Sequence, residues 1–167
     1  MDLYLVRHAI AHPRDEKKWP DDGKRPLTPE GEERFRRAAR GLRKLTPTVE
    51  LVLASPFDRA WRTAELLNEE ARWPQPKKCE VIEADRSPVE GIEALRGHLD
   101  VASVALVGHE PNLSEIASML LTGNATRLAM DFKKGGAACL QLDGSLRRGS
   151  AMLLWFVTPR MLRSLAG

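Results

Sequence analysis

Two histidines and two arginines, residue types suited to phosphate chemistry, each stand shortly after an apolar run of the sequence. They are Arg7, His8, Arg59 and His109. A neutral imidazole can attack phosphorus and form a covalent intermediate that water then hydrolyses. Guanidinium groups remain charged and can bond two phosphate oxygens in one plane. Each residue alone is better interpreted as a core histidine or a surface ion pair, but the four together predict a site that cleaves a phosphoryl group.

Apolar runs predict the strands that would gather these side chains. The predicted strands are Leu3–Val6, Leu51–Ala54, Cys79–Ile82, Ser103–Val107, Ala137–Leu142 and Ala151–Val157. Helical patterns alternate with these runs, which favours an α/β fold, a three-layer α/β/α sandwich around a mostly parallel six-stranded sheet. The turn residues Asp143-Gly144 predict a hairpin between the last two strands, and thus one antiparallel strand. Because parallel strands end at a common edge, residues distant in the chain can meet there.

Five helices are predicted to pack on the sheet. The first begins at Thr28 as N-cap with Pro29 following, and the second at Ser55, with Asp58 completing a capping-box-like spacing. The others are predicted from Pro88 to His98, from Asn112 to Leu121 and over Pro159–Leu165. Residues 9–27 form a long charged connection, a length typical of functional or mobile loops.

Composition limits the class of protein and its surroundings. With 167 residues, 43% hydrophobic and 29% charged, one globular domain over residues 1–167 is expected. No apolar run reaches the ~20 residues of a membrane helix and no leader pattern occurs, so a cytoplasmic protein without membrane contact is expected. Cys79 and Cys139 are isolated and are expected to be reduced thiols. Neither a metal-ligand spacing nor a nucleotide-binding glycine loop is present, so no cofactor and no metal are expected.

Four segments, in order and spacing, resemble the histidine phosphatase superfamily, which also contains the cofactor-dependent phosphoglycerate mutases. The segments are Leu5-Val6-Arg7-His8-Ala9, Arg25-Pro26-Leu27-Thr28, Ser55-Pro56-Phe57-Asp58-Arg59-Ala60 with Thr63-Ala64-Glu65, and Val107-Gly108-His109-Glu110-Pro111. The short length and the continuation of the second segment to Gly31 look most like the compact SixA-type phosphohistidine phosphatases of that superfamily. The resemblance covers nearly the whole chain and implies a phosphoglycerate mutase-like fold.

The resemblance also implies a role for each residue of the site. His8 would be the nucleophile that becomes phosphorylated. Arg7 and Arg59 would clamp the phosphoryl oxygens, and His109 would donate a further hydrogen bond to them. Arg25 matches an arginine of the SixA pattern that lies near the anion.

Several positions depart from the superfamily pattern. Arg62 stands where glutamine is usual and is interpreted as facing solvent, and Ala9 replaces a glycine. No confident match exists for the carboxylate that serves as general acid in the mutases; Asp85, Glu90 and Glu110 are candidates only. An alkoxide leaving group benefits greatly from a positioned proton donor, whereas imidazole needs less help. The missing acid therefore favours phosphohistidine over sugar phosphates as substrate.

The expected function is hydrolysis of phosphohistidine on a partner protein, such as a phosphotransfer domain, through a phospho-His8 intermediate. A broad small-molecule phosphomonoesterase is the alternative within enzymes, and a non-catalytic phosphoprotein-binding module is the alternative from another class. A monomer is expected. The arginine-rich surface of the first helix is interpreted as solvent-exposed rather than as a nucleic-acid-binding surface, because no aromatic residues lie among the arginines to stack on bases. Lys133-Lys134-Gly135-Gly136 fits either an anion site or a flexible entry to a strand.

Overall fold

A computed structural model describes residues 1–46, 48–144 and 146–167 and contains one six-stranded sheet. The strands are β1 (Asp2–Arg7), β2 (Leu51–Ala54), β3 (Lys77–Lys78), β4 (Ser103–Gly108), β5 (Ala137–Gln141) and β6 (Met152–Val157). Their order across the sheet is β3-β2-β4-β1-β5-β6. Only β5 runs antiparallel to its neighbours, β1 and β6. The predicted mostly parallel sheet with one antiparallel strand is therefore confirmed.

Helices cover both faces of this sheet. They are α1 (Pro29–Leu45), α2 (Asp58–Leu66), α3 (Pro88–Arg96), α4 (Asn112–Thr122) and α5 (Pro159–Ala166). Alternate strand residues point to opposite faces. On one face Tyr4 and Val6 pack with residues of α1, α2 and α5, and on the other Leu3 and Leu5 pack with residues of α3 and α4. This is the predicted α/β/α layering, and no helix among the described residues is long and apolar enough to cross a membrane.

Two predictions about the strands are wrong. Residues Cys79–Ile82 are not a strand, because pairing with β2 ends where the Cys79 amide donates to the Ala54 carbonyl at 2.8 Å, and a 3-10 helix, Glu80–Ile82, follows. This turn buries Ile82 completely. The antiparallel pair of β5 and β6 does not meet in a hairpin at Asp143-Gly144 either; residues 142–151 connect the two strands. Leu146 is buried in the core, which draws this connection inward.

The N-termini of the first two helices differ in how they are capped. Thr28 caps α1 as predicted, accepting the Gly31 amide on its hydroxyl at 2.9 Å, and Pro29 is the first helical residue. By contrast, α2 begins at Asp58, with Phe57 as N-cap and no side-chain capping bond. Ser55 is not the cap that its spacing predicted, because its hydroxyl bonds to His109 and to the Phe57 amide.

The contact between α1 and α5 is unusually close at Gly41. A Cβ atom at this position would lie 1.8 Å from the backbone oxygen of Leu162. Only glycine permits that approach. The approach packs α5 onto α1.

Candidate active site

His8 stands at the carboxyl end of β1, next to the end of the parallel strand β4. The β1–β4 register pairs Arg7 with Gly108, and the His8 amide donates to the Gly108 carbonyl at 3.0 Å. The rings of His8 and His109 consequently lie with their centroids 5.1 Å apart. The sheet edge thus brings the two predicted histidines together although a hundred residues separate them in the chain.

The hydrogen bond of the His8 ring determines which nitrogen is available for chemistry. Nδ1 lies 2.7 Å from the Ala9 carbonyl oxygen, which can only accept, so Nδ1 carries the proton. In the neutral ring, Nε2 then holds a lone pair. The Ala9 amide donates in turn to the Thr63 hydroxyl at 3.0 Å, and that hydroxyl donates to the Arg59 carbonyl at 2.7 Å. Thr63 thereby ties Ala9, the residue after His8, to α2.

Ser55 orients the second histidine. Its hydroxyl lies 2.9 Å from His109 Nε2 and accepts the Phe57 amide at 3.3 Å. This arrangement leaves the serine proton to be donated to Nε2, which favours the His109 tautomer protonated on Nδ1. Nδ1 is buried and has no hydrogen-bond partner. An N–H donor therefore remains unused beside His8.

The two arginines that were predicted to clamp an anion also keep unused donors. Arg7 donates through Nη1 to the Phe132 carbonyl, while Arg59 donates through Nη1 to the Asp22 carbonyl at 2.7 Å. In both side chains Nε is buried and lacks a partner. Arg59 is the second residue of α2, so it lies in the first helical turn as predicted, and it stacks 5.0 Å from the Phe57 ring centre. Buried polar groups are rarely left unpaired, and three such N–H donors in one site indicate an anion-binding pocket.

Asp22, for which the sequence predicted no role, joins two of the predicted cationic residues. It accepts from Arg25 Nε at 2.8 Å and pairs with Arg59 Nη2 at 3.0 Å. Arg25 also donates to the His12 carbonyl at 2.7 Å. The carboxylate belongs to the 3-10 helix Asp22–Lys24, which Asp21 caps by accepting the Gly23 amide. The only sequence signal was the Asp-Asp-Gly turn pattern in the long charged connection.

Burial sets the protonation of the two imidazoles. It lowers the pKa of His8 from 6.5 to about 3, and the positive charges of Arg59 and Arg7 act in the same direction. Burial likewise lowers the pKa of His109 to about 2, with further contributions from His8 and Arg59. Hydrogen bonding from Arg25 holds the pKa of Asp22 below its usual range. The site at neutral pH therefore combines neutral imidazoles with charged guanidinium groups and an ionised carboxylate.

The three candidate general acids have different surroundings. Asp85 is exposed, and Glu90 caps α3 by accepting the Ser87 amide at 3.2 Å. Glu110 directly follows His109 and accepts from the Ser114 hydroxyl at 2.6 Å. Burial raises the pKa of Glu110, and its Oε1 is buried without a partner. Of the three, Glu110 is the one with the features of a proton donor.

The remaining predictions concern charges outside the pocket. Arg62 does not simply face solvent, because it lies within 3.2 Å of carboxylate oxygens of Glu32, Glu65 and Glu69. Other arginines of α1 also pair with acidic residues, for example Arg36 with Glu69 at 2.6 Å. Among the described residues, no group of three or more histidine, cysteine, aspartate or glutamate side chains is arranged to hold a metal ion.

The fold and the histidine–arginine pocket are those of a histidine phosphatase. The sequence profile of the histidine phosphatase superfamily (branch 1) matches residues 3–98, more than half of the chain, and the chain belongs to this superfamily. The match includes His8, Arg25 and Arg59, whereas His109 lies beyond it. An uncharacterized protein of Picosynechococcus sp. is 34% identical over 156 residues, which cover 92% of this chain and 88% of that protein.

Solved structures place the chain beside the SixA phosphatases. The protein histidine phosphatase SixA complexed with tungstate superposes with a TM-score of 0.85 at 25% identity, over 97% of this chain and 99% of that one. A putative phosphohistidine phosphatase SixA from Agrobacterium tumefaciens gives 0.77 at 21% identity, over 95% and 97%. The alpha-ribazole phosphatase of Shigella flexneri gives 0.73 at 16% identity over the same shares, which shows a common fold alone. The chain is thus of the SixA type, and the family indicates a phosphatase.

Proposed function

We propose that the protein hydrolyses phosphohistidine on a partner protein, with His8 as nucleophile. The observation that carries this proposal is the His8 ring, whose Nδ1 is bound to the Ala9 carbonyl while Nε2 keeps its lone pair. Three unpartnered N–H donors, on Arg7, Arg59 and His109, belong to the same site. A non-catalytic binding module would need the donors but not the oriented nucleophile, so this arrangement favours an enzyme.

The reaction would take place in two displacements at phosphorus. In the first, the lone pair on His8 Nε2 forms a bond to phosphorus while the bond from phosphorus to the substrate nitrogen breaks. A phosphoimidazole protonated on its second nitrogen leaves as neutral imidazole. In the second, the oxygen of water forms a bond to phosphorus and loses a proton to solvent, while the bond from phosphorus to His8 Nε2 breaks and its electron pair returns to Nε2. Inorganic phosphate leaves, and the neutral ring protonated on Nδ1 is restored. Arg7, Arg59 and His109 would bind the three equatorial oxygens, where charge develops in the transition state.

The choice of phosphohistidine rests on the leaving group and on the structural relatives. Imidazole departs without a strong acid because its conjugate acid titrates near ~6.5. Asp22 is ionised in its bonds to two arginines and has no proton to give. The protein histidine phosphatase SixA, whose structure superposes with a TM-score of 0.85, was solved in complex with tungstate, a tetrahedral oxyanion with the shape of phosphate.

Glu110 supports a second candidate, a small-molecule phosphomonoesterase. Its raised pKa favours the protonated carboxyl that an alkoxide leaving group would require. The two candidates differ in what Glu110→Gln does. Hydrolysis of an alkyl ester that depends on this acid would fall by about 100-fold or more, whereas phosphohistidine hydrolysis would change little.

Two measurements test the proposed function. Acid-labile, base-stable phosphate should be trapped on the wild-type enzyme after rapid quenching and should be missing from His8→Ala; full activity of that variant would rule out His8 as nucleophile. Free phosphohistidine and glycerol phosphate are then compared by kcat/KM. A clear preference for glycerol phosphate would favour the phosphomonoesterase.

The positive charge needed at the phosphoryl oxygens is available from Arg7 and Arg59, so we propose that no metal is required. Arg59→Ala should lower kcat by about 100-fold or more, because the guanidinium contributes mostly in the transition state. Chelation with EDTA should leave kcat unchanged, and loss of activity that Mg²⁺ or Zn²⁺ restores would contradict this part of the proposal.

A further inference from the structure

A basic cleft lies beside the proposed nucleophile and is separate from the pocket that holds it. Its volume is about 340 Å³, and it opens between the first half of α1, the loop of residues 133–135 and the start of α5. Apolar side chains in its lining include Ile10, Phe35, Ala38 and Pro159, and cationic ones include Lys134 and Arg160. A small phosphorylated metabolite bound in the histidine pocket would not need to contact this second surface.

The charged side chains that line the cleft are all positive. Five lysine or arginine residues line it, and among its described lining residues there is no aspartate or glutamate. The five are Arg34, Lys133, Lys134, Arg160 and Arg163. Arg34 pairs with Glu30 at 2.6 Å, and Lys133 pairs with Asp131. The other three make no ion pair with any described residue, so their charges are available to a ligand.

Backbone contacts join the cleft to the end of β1. Gly135, which follows Lys134, donates its amide to the His8 carbonyl at 3.0 Å and lies 3.2 Å from the Arg7 carbonyl. Ala9, the residue after the nucleophile, forms part of the cleft wall. The positive field of Lys134 also reaches the imidazole, where it contributes to the lowered pKa of His8. A chain segment with its phosphohistidine at His8 would therefore have the basic cleft next to it.

We infer that the basic cleft docks the phosphohistidine-bearing partner protein through an acidic segment with an apolar residue. The inference rests on the proposed function and specifies the chemistry of the partner. Aspartate or glutamate side chains of that segment would meet Lys134, Arg160 and Arg163, and its apolar side chain would rest on Phe35 and Ala38. Complementary charge of this kind raises the rate of encounter and selects among partners.

Charge reversal tests the inference with a matched control. Arg160→Glu/Arg163→Glu changes the cleft, and Arg127→Glu/Arg148→Glu makes the same change in net charge at exposed arginines outside the cleft lining. The probe is a short fluorescein-labelled peptide of leucine and glutamate around one histidine, and its counterpart carries lysine in place of glutamate. Binding is followed by fluorescence anisotropy, and thermal melting verifies that both double variants are folded.

The acidic peptide should bind wild type more tightly than the lysine peptide, and Arg160→Glu/Arg163→Glu should weaken it about tenfold. The control pair should bind it like wild type. Equal binding of the two peptides, or equal loss in both variants, would overturn the inference. So would tighter, cleft-dependent binding of single-stranded DNA or phosphatidylserine vesicles, which would make the cleft a general anion surface.

A kinetic readout separates this inference from the proposed function. With both peptides phosphorylated on histidine, the kcat/KM ratio of acidic peptide to free phosphohistidine should fall about tenfold in Arg160→Glu/Arg163→Glu. The control variant should keep the wild-type ratio. If neither the phosphorylated peptides nor free phosphohistidine is hydrolysed, the proposed function fails, and the anisotropy experiment still decides whether the cleft binds acidic peptides.

Discussion

The pocket is built from two imidazoles that the fold keeps neutral, and acid should therefore destabilise the protein. The pKa of His8 falls from 6.5 to about 3 on folding, and that of His109 falls to about 2, in both cases chiefly through burial. Between the unfolded and folded pKa values, the unfolded chain binds protons that the folded protein excludes. The stability contributed by the neutral rings is thus complete above about pH 6.5 and is lost progressively below it.

The size of the effect follows from these pKa values. For one histidine that titrates near 6.5 when unfolded and near 3 when folded, the free energy of unfolding falls by about 2 kcal/mol between about pH 7 and about pH 5. His109 should contribute a similar amount. Because the ring centroids are only 5.1 Å apart, a proton on one ring opposes a proton on the other. Together the pair should lower stability by about 4 kcal/mol over this range.

Urea denaturation at about pH 7, 6 and 5 measures this slope. His8→Asn should remove about half of it, and His98→Asn serves as the matched control for substituting a histidine outside the site. Glu110 has the opposite effect on stability, because its raised pKa lets the folded protein take up a proton at a higher pH than the unfolded chain does. This effect is present in wild type, His8→Asn and His98→Asn alike, so it does not change the comparison between them. A wild-type loss below about 1 kcal/mol, or an undiminished slope in His8→Asn, would show that the ring does not resist protonation as these contacts require.

Two further predictions concern the packing and charge balance around the site. Asp22→Asn should destabilise the protein by about 1–2 kcal/mol, because Arg25 and Arg59 lose the counter-charge that they share. The same loss should let inorganic phosphate bind more tightly and so lower its inhibition constant several-fold. Asp58→Asn, which removes an exposed ion pair with Lys24 at 4.0 Å, should have neither effect. Gly41→Ala should lower the free energy of unfolding, measured by urea denaturation, by about 3 kcal/mol or more, since its Cβ would lie 1.8 Å from the Leu162 carbonyl oxygen. In the control Gly97→Ala, the nearest atom to the new Cβ is the Ala94 carbonyl oxygen at 3.9 Å, and the loss should be less than about 1 kcal/mol.

The centre of the sheet was predictable because β1, β2 and β4 are buried on both faces and read as continuous apolar runs. For β2 the predicted and observed bounds, Leu51–Ala54, coincide. The error at Cys79–Ile82 has a physical reason, because short apolar runs do not distinguish a strand from a turn that buries one side chain. Here Ile82 alone is completely buried, and the residues around it keep more exposure.

Contacts between side chains distant in sequence were harder to predict. The spacing of Ser55 and Asp58 suits a helix cap, but the neighbouring strand end places His109 within 2.9 Å of the Ser55 hydroxyl, and the hydroxyl bonds there instead. The Asp-Asp-Gly turn pattern did not indicate that Asp22 would pair with two arginines, since that pairing depends on Arg25 and Arg59 arriving from different elements. Sequence patterns identify the residues that follow strands, whereas their partners depend on how the connecting segments fold back.

The position of Asp22 explains how one small site can be cationic and still contain a neutral His8 ring, the form that the proposed nucleophile needs. A carboxylate bonded to His8 would favour the protonated imidazole and remove the lone pair needed for attack on phosphorus. The bonds that Asp22 makes go instead to Arg25 and Arg59, so its charge is used chiefly to balance the guanidinium groups. The Nε atom of Arg59 stays unpartnered and available to an oxyanion. The same burial that destabilises the protein in acid thus keeps the His8 ring neutral at neutral pH, as its proposed role requires.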